Sequence, residues 1–384
     1  MSVSGANITK EIGVGIIGFG FMGKTHTYAY RTMPLFYSNL PFRVRLVGVC
    51  NRTRSVAERA KDDFGFEFAT DNIDDIFARD DIQVVNICTP NSHHKEAVLK
   101  AIDAGKHFYC EKPLAASYAE AKEIVEHLGG KDIINQMVFN YRFYPATLRA
   151  KQIVEEGRLG RVLSFRACYL HSGGVDPHAP VSWRFEKGSS GGGALYDLGS
   201  HALDIIYHLL GEYSSIVAKT QTVYDTRPDR DGKPIKMELD DAVYIVAQMK
   251  NGAVGTIEAT RVATGTNDEL RFEIHGDKGA IRFNLMDPNW LEYFDNTIPD
   301  VPLGGVRGFT RVATIQKYDK PGGHFPARNA TIGWLRGHVH CLYNFVSHVY
   351  EGTKANPSVE DGAYIQYVMD KAYESSASGR WVGL

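Results

Sequence analysis

Residues 18–23 read Gly18-Phe19-Gly20-Phe21-Met22-Gly23, set between a short apolar run at residues 12–17 and a helical stretch at residues 23–33. A G-x-G-x-x-G turn that leaves a strand and opens a helix is compatible with few folds. The first glycine permits the tight turn, the second lets backbone approach a pyrophosphate, and the third packs helix on strand. The helix N-terminus adds free N–H groups and a partial positive charge. The turn therefore predicts dinucleotide binding by Gly18, Phe19, Gly20, Phe21, Met22 and Gly23.

The residues that follow keep alternating between strand and helix patterns. β-Branched or apolar runs at 44–50, 84–88, 107–110 and 133–139 alternate with helical stretches at 55–63, 94–104 and 117–128. Ser55 is the expected N-cap of the first of these helices, and Gly105 closes the second. Such alternation implies crossover units and a buried parallel sheet. The pattern changes after residue 140. A helix at 146–156, a strand at 162–169 and a helix near 195–210 give way to period-two strands, with Asn251-Gly252 and Gly276-Asp277-Lys278-Gly279 as hairpin turns. Residues 296–333, rich in Gly and Pro, read as a long surface loop or flap, and helices at 338–350 and 361–375 finish the chain. The expected fold is an α/β domain over residues 1–140, with residues 1–10 disordered, followed by an α+β domain over residues 141–384. The second carries a large, mainly antiparallel, open-faced sheet, and the last helix packs near the first domain.

Composition narrows the function classes. Of 384 residues 43% are hydrophobic and 23% charged, the balance of a soluble globular protein, and a net charge of −2 gives no pull toward nucleic acid or an anionic membrane. No apolar run reaches the roughly 18 residues of a membrane span. The first ten residues lack an apolar core and read as a polar lead rather than a signal peptide. Five scattered cysteines, none in a Cys-x-x-Cys pair, suit free thiols in a reducing cytoplasm.

The end of the second strand bears on the choice of dinucleotide. Asn51-Arg52-Thr53-Arg54 offers no acid for a ribose 2′-hydroxyl and two arginines for a 2′-phosphate, which favours NADP over NAD. The alternative has Asn51 binding the ribose hydroxyls of NAD while Arg52 and Arg54 are solvated. Thr89-Pro90-Asn91 follows a parallel strand at the edge where ligands sit in open α/β sheets. His93 and His94 start a helix, and His94 is kept among the residues at the cofactor edge. Glu111-Lys112-Pro113 ends another strand at that same edge. Downstream, Gly191-Gly192-Gly193 precedes Asp197 and His201, whose i, i+4 spacing puts them on one helix face, where an Asp can raise the basicity of a His. Asp204 lies three residues on. A metal set of Asp197, His201 and Asp204 lacks any second His or Cys cluster with zinc-like spacing, so no metal is expected.

Taken together these stretches resemble the glucose–fructose oxidoreductase and inositol dehydrogenase family (Gfo/Idh/MocA). The resemblance covers nearly the whole chain: the turn at 18–23, Thr89-Pro90-Asn91, Glu111-Lys112-Pro113, Asn140-Tyr141-Arg142-Phe143, Trp183-Arg184, the block at 191–204 and the C-terminal Ser-Gly-Arg-Trp segment. It implies a Rossmann domain, a second domain whose open sheet builds homodimers or homotetramers, and Lys112, Asp197 and His201 as the catalytic set. It also implies that Tyr141, Arg142 and Trp183 join those three around a sugar- or polyol-like substrate, while His178, in a loop beyond the shared pattern, is a further expected substrate contact. In the implied reaction His201 takes the proton of a secondary alcohol, Lys112 steadies the alkoxide, and Asp197 balances charge. Two other outcomes stay open. One is glycoside hydrolysis through transient oxidation by tightly held NAD. The other is a non-catalytic dinucleotide sensor, which has no need of the catalytic trio. Loop segments 171–180 and 321–334, carrying His171, His178, His324 and Trp334, are expected to set substrate choice or to contact a neighbouring subunit.

Overall fold

The apolar run ahead of the glycine turn forms β1 (Lys10–Ile17), whose last six residues are buried, and the turn opens α1 (Phe21–Phe36). Near-continuous burial is what a parallel strand covered on both faces requires. The computed structural model describes residues 9–303, 305–319 and 325–384. The expectations for residues 1–8 and for His324 lie outside these described residues. The first stretch continues through β2 (Phe42–Cys50), α2 (Arg54–Phe64), β3 (Phe68–Thr70), α3 (Asp74–Phe77), β4 (Val84–Ile87), α4 (His94–Asp103), β5 (His107–Cys110), α5 (Tyr118–Leu128) and β6 (Asn135–Met137). The six strands are parallel in the order β3-β2-β1-β4-β5-β6, the doubly wound arrangement.

Local chemistry explains most boundaries. Ser117 caps α5 by accepting from the Glu120 N–H at 3.3 Å. The cap of α2 falls on Thr53, not on the expected Ser55, and Gly65 closes the helix in the left-handed region (φ 67°). The short elements β3 and α3 escape sequence reading because three or four residues carry no measurable period.

The second stretch runs through α6 (Pro145–Glu155), β7 (Val162–Leu170), α7 (Lys187–Ser190), a π-helical turn (Leu195–Gly199) and α8 (Ser200–Leu210). Strands then dominate: β8 (Tyr213–Gln221), β9 (Thr226–Pro228), β10 (Pro234–Lys236), β11 (Ala242–Met249), β12 (Val254–Thr260), β13 (Glu269–Gly276), β14 (Gly279–Asn284), β15 (Trp290–Asp295) and β16 (Phe309–Ala313). The chain ends with α9 (Trp334–Glu351), α10 (Val359–Ser378) and β17 (Val382–Gly383). Nine strands form one sheet in the order β16-β15-β14-β13-β7-β12-β11-β8-β17. Only β7 with β12 is parallel; the other neighbours are antiparallel. Along β11, Val243, Ile245 and Ala247 are buried while Tyr244 and Val246 are exposed, the period of a sheet with one open face.

Two expectations change here. Residues 296–333 are not all loop, because β16 pairs with β15. The chain divides into two units that do not follow a single cut. Residues up to Asn140 cluster with Tyr318–Tyr364, and Tyr141–Lys317 cluster with Ile365–Leu384. Helix α9 thus belongs to the nucleotide-type unit. Within it Gln136 donates to the Cys341 carbonyl at 2.9 Å, and Asn344 donates to the Gln136 side chain at 2.8 Å.

Candidate active site

In the first unit the glycines divide their roles as the turn requires. Gly18 has φ 90°, and a Cβ there would sit 2.7 Å from the Cys88 carbonyl. A Cβ on Gly23 would meet the Gly18 carbonyl oxygen at 2.4 Å, whereas one on Gly20 would meet nothing within 4 Å. The second glycine therefore faces open space, and as the N-cap of α1 it brings no side chain to the helix N–H groups. These residues fit a dinucleotide pyrophosphate. Phe19 enters only through its backbone. Its ring is buried against Phe64 and Phe66 at 5.5 and 5.9 Å. Phe21 is 67% exposed, its ring 5.5 Å from that of Trp334.

The ribose edge is less basic than expected. Arg54 pairs with Glu58 at 2.8 Å and lies 3.6 Å from Asp71. Asp71 follows β3, the strand that sequence reading missed, and puts an acid at the edge where none was counted. The Asn51 side chain accepts from the Thr53 N–H at 3.0 Å, and Arg52 is exposed.

At the edge of β4 and β5, Asn91 is buried and Lys112 half-buried. His94, expected among the cofactor-edge residues, has a structural role there. Fully buried, it places Nδ1 2.8 Å from the Pro113 carbonyl and Nε2 2.9 Å from the Thr89 carbonyl, so it staples the two loops together. Burial pushes its pKa down despite both carbonyls, and a neutral ring has one N–H to give. Glu111 is also buried, 3.1 Å from Nε2 of His26 on α1, whose Nδ1 lies 3.2 Å from Asn86. Burial pushes the Glu111 carboxyl up, but His26, His338 and Lys112 outweigh it and hold the group below its ordinary value. His26 gave no sequence signal, because only the fold brings α1 beneath the end of β5.

In the second unit the glycine run makes room for protein rather than ligand. A Cβ on Gly193 would sit 2.1 Å from the Asp240 carbonyl oxygen. The Asp240 carboxylate accepts from the N–H groups of Gly193 and Leu195 and from the Tyr373 hydroxyl, at 3.1, 2.8 and 2.6 Å. It thereby caps the π turn that carries Asp197. The π turn also alters the expected i, i+4 relation, since its wider winding does not stack residues as an α-helix does. The Asp197 carboxylate faces two guanidiniums, Arg261 at 3.4 Å and Arg184 at 3.6 Å, the latter stacked on Trp183 at 4.7 Å. Trp183 thus supports the Asp197 cluster. His201, 7% exposed, lies against the rings of Tyr141 at 4.7 Å and Tyr169 at 5.7 Å.

Arg142, expected at the substrate, is buried and gives its fork to Asp204, with bonds of 2.9 and 2.5 Å. That pairing also takes Asp204 out of any ligand set with Asp197 and His201. His178 is exposed in a turn, its N–H donating to the Asp176 side chain at 2.8 Å. Sequence reading missed Arg261, Asp240, Tyr169 and Asp268, all on strands or turns remote in sequence.

A Rossmann sheet, an open glycine turn and a second unit with a His–Asp–Tyr cluster define a dinucleotide-dependent oxidoreductase. Residues 12–138 match the oxidoreductase family with an NAD-binding Rossmann fold, and residues 147–282 match the GFO/IDH/MocA C-terminal domain. The chain belongs to the GFO/IDH/MocA family. It is 37% identical to levoglucosan dehydrogenase of Pseudarthrobacter phenanthrenivorans, over 97% of this chain and 98% of that protein. It is 26% identical to inositol 2-dehydrogenase of Rhizobium meliloti, over 96% and 98% of the two chains. The structure of levoglucosan dehydrogenase in complex with NADH and levoglucosan superposes with a TM-score of 0.93 at 37% identity, covering 97% of this chain and 99% of that one. The protein is therefore an NAD-binding oxidoreductase. Among the described residues no helix is long and apolar enough to cross a membrane, and all five cysteines are free.

Proposed function

We propose that the protein interconverts a secondary alcohol and a ketone on a neutral sugar, cyclitol or glycoside. The observation that carries this reading is His201, packed edge-on against the rings of both Tyr141 and Tyr169. A histidine with aromatic walls suits a base acting on a ring whose C–H faces stack and whose hydroxyls hydrogen-bond. Lys112, at the end of β5, steadies the negative charge that develops on the alcohol oxygen, and His201 takes its proton. Asp197, with Arg184 and Arg261, sets the charge around that base. Trp183 and Tyr141 are assigned to the substrate side. Arg142 acts at a distance, by fixing α8 through Asp204. Bound cofactor supplies the hydride acceptor.

NAD rather than NADP is proposed as that cofactor. Glu58 and Asp71 place negative charge at the ribose edge, which disfavours a 2′-phosphate, and the superposed relative holds NADH. Residues Gly18–Gly23, Thr89, Pro90 and Asn91 are assigned to cofactor contact.

The exposed face of the nine-stranded sheet, with Tyr244, Val246 and Val254, is proposed to pair with a second copy in a homodimer or homotetramer. The five free thiols support a cytoplasmic, reducing location. A panel of anhydrosugars, aldoses, cyclitols and glycosides, with NADH absorbance as readout, tests the activity. Net NADH from a polyol supports the reading. Glycoside cleavage without NADH accumulation would replace it with hydrolysis through transient oxidation.

A further inference from the structure

A row of hydrogen-bonded side chains starts at Tyr141, whose ring lies 4.7 Å from that of His201 within the second unit. The Tyr141 and Tyr169 hydroxyls are 2.6 Å apart. Tyr169 donates to Asp268 Oδ1 at 2.5 Å, and His171 Nε2 lies 2.9 Å from that same oxygen. Both tyrosines are buried, at 4% and 5% exposure, whereas the side chains of His171 and Asp268 are 35% and 37% exposed. The row thus begins at the rings packed against His201 and ends at partly exposed side chains.

Its polarity follows from elementary chemistry. An ionised carboxylate only accepts, so Tyr169 gives its proton to the bond with Asp268. The Tyr169 oxygen then accepts from Tyr141, and the Tyr141 oxygen is left as an acceptor at the inner end. Burial first, then Tyr141 and Asp268, push the Tyr169 phenol far above its ordinary value, so it stays protonated and can pass a proton on without holding a charge. A buried base that receives a proton in every turnover needs such an outlet.

We propose that Tyr141, Tyr169, Asp268 and His171 form the proton exit for His201 during alcohol oxidation. The inference rests on reading His201 as the base. One proton enters and one leaves. His201 gives the alcohol proton to the Tyr141 oxygen, while the Tyr141 proton moves to Tyr169 and the Tyr169 proton to Asp268. Asp268, its oxygen also held by the His171 Nε2–H, then releases it to water. No electrons move along the row; the hydride leaves the alcohol carbon separately.

The test uses the full chain with NAD and a polyol, following NADH absorbance and a pH-indicator dye together. The variants are Tyr169→Phe and the milder, half-exposed Asp268→Asn. Each should slow steady-state oxidation about 10- to 100-fold, less than the loss of a base itself. Each should also delay proton release behind NADH formation and be rescued by imidazole buffer, with NADH affinity and melting temperature held. In cofactor-free protein, downfield hydroxyl proton resonances from the two tyrosines should be seen by NMR and disappear in Tyr169→Phe. Absence of those resonances in the wild-type protein overturns the row itself. If the wild type is active but both variants match it in turnover, proton release and solvent isotope effect, the relay is wrong while the reading of His201 stands. If the wild type yields no NADH from any polyol, both fall together.

Discussion

Asp204 accepts a two-pronged hydrogen bond from Arg142, through Nε at 2.9 Å and Nη2 at 2.5 Å, with both side chains almost fully buried. The pair fastens the turn carrying Tyr141 to the helix carrying His201. Breaking a buried pair from one side leaves an uncompensated charge, at about 3–5 kcal/mol. Asp204→Asn should therefore lower stability by an amount of that order in urea unfolding, and soften the tyrosine wall of the site. An unchanged unfolding midpoint would show that the pair adds nothing.

Lys112 and His201 are assigned to one oxygen of the substrate. Each alanine variant should reduce turnover by about 10² to 10⁴. If both act on that oxygen, the double variant should lose much less than the product of the single losses. Strict multiplication of the two effects would separate their roles.

The ribose edge predicts a preference for NAD in kcat/KM. Asp71→Ser frees Arg54 from one acid and should raise the efficiency with NADP about tenfold, roughly 1.4 kcal/mol. Equal efficiency with both cofactors in the wild type would refute the role given to Asp71.

Glu111 makes stability depend on acidity in a defined direction. Burial raises its carboxyl, but His26, His338 and Lys112 bring it below the ordinary 4.5. A depressed folded-state value gives stabilisation that is full above 4.5 and is lost as pH falls through the lower, folded value. The melting-temperature gap between wild type and Glu111→Gln should be widest near neutrality and close below pH 4.5. A gap that widens in acid would reverse the assignment.

Much of this was legible in the chain itself, for local reasons. Gly18–Gly23 announces its function because strand, turn and helix are contiguous and each glycine has a separate steric duty. The roles proposed for Lys112, Asp197 and His201 rest on residue type and family pattern. What could not be read depends on distant pairings. His26 acquires Glu111 only when α1 crosses beneath β5. Asp197 acquires Arg261, and Tyr169 acquires Asp268, through strands nearly 65 to 100 residues away. His94 shows what residue type alone leaves out. A histidine at the ligand edge looks functional, yet two carbonyls within 2.9 Å make it a fastener. The boundary at residue 140 came from a change of period, but no period reports that α9 returns to the first unit.

The neighbours of β7 carry a consequence for biosynthesis. This strand, Val162–Leu170, sits mid-sheet between β12 and β13, which end at Thr260 and Gly276. On a translating ribosome neither partner is complete until about 90 to 106 further residues have been made, several seconds at ordinary elongation rates. Both of its edges stay open for that interval, and the pairing that closes them is of high contact order. The nascent second unit therefore passes through a stage with open strand edges, which favours aggregation.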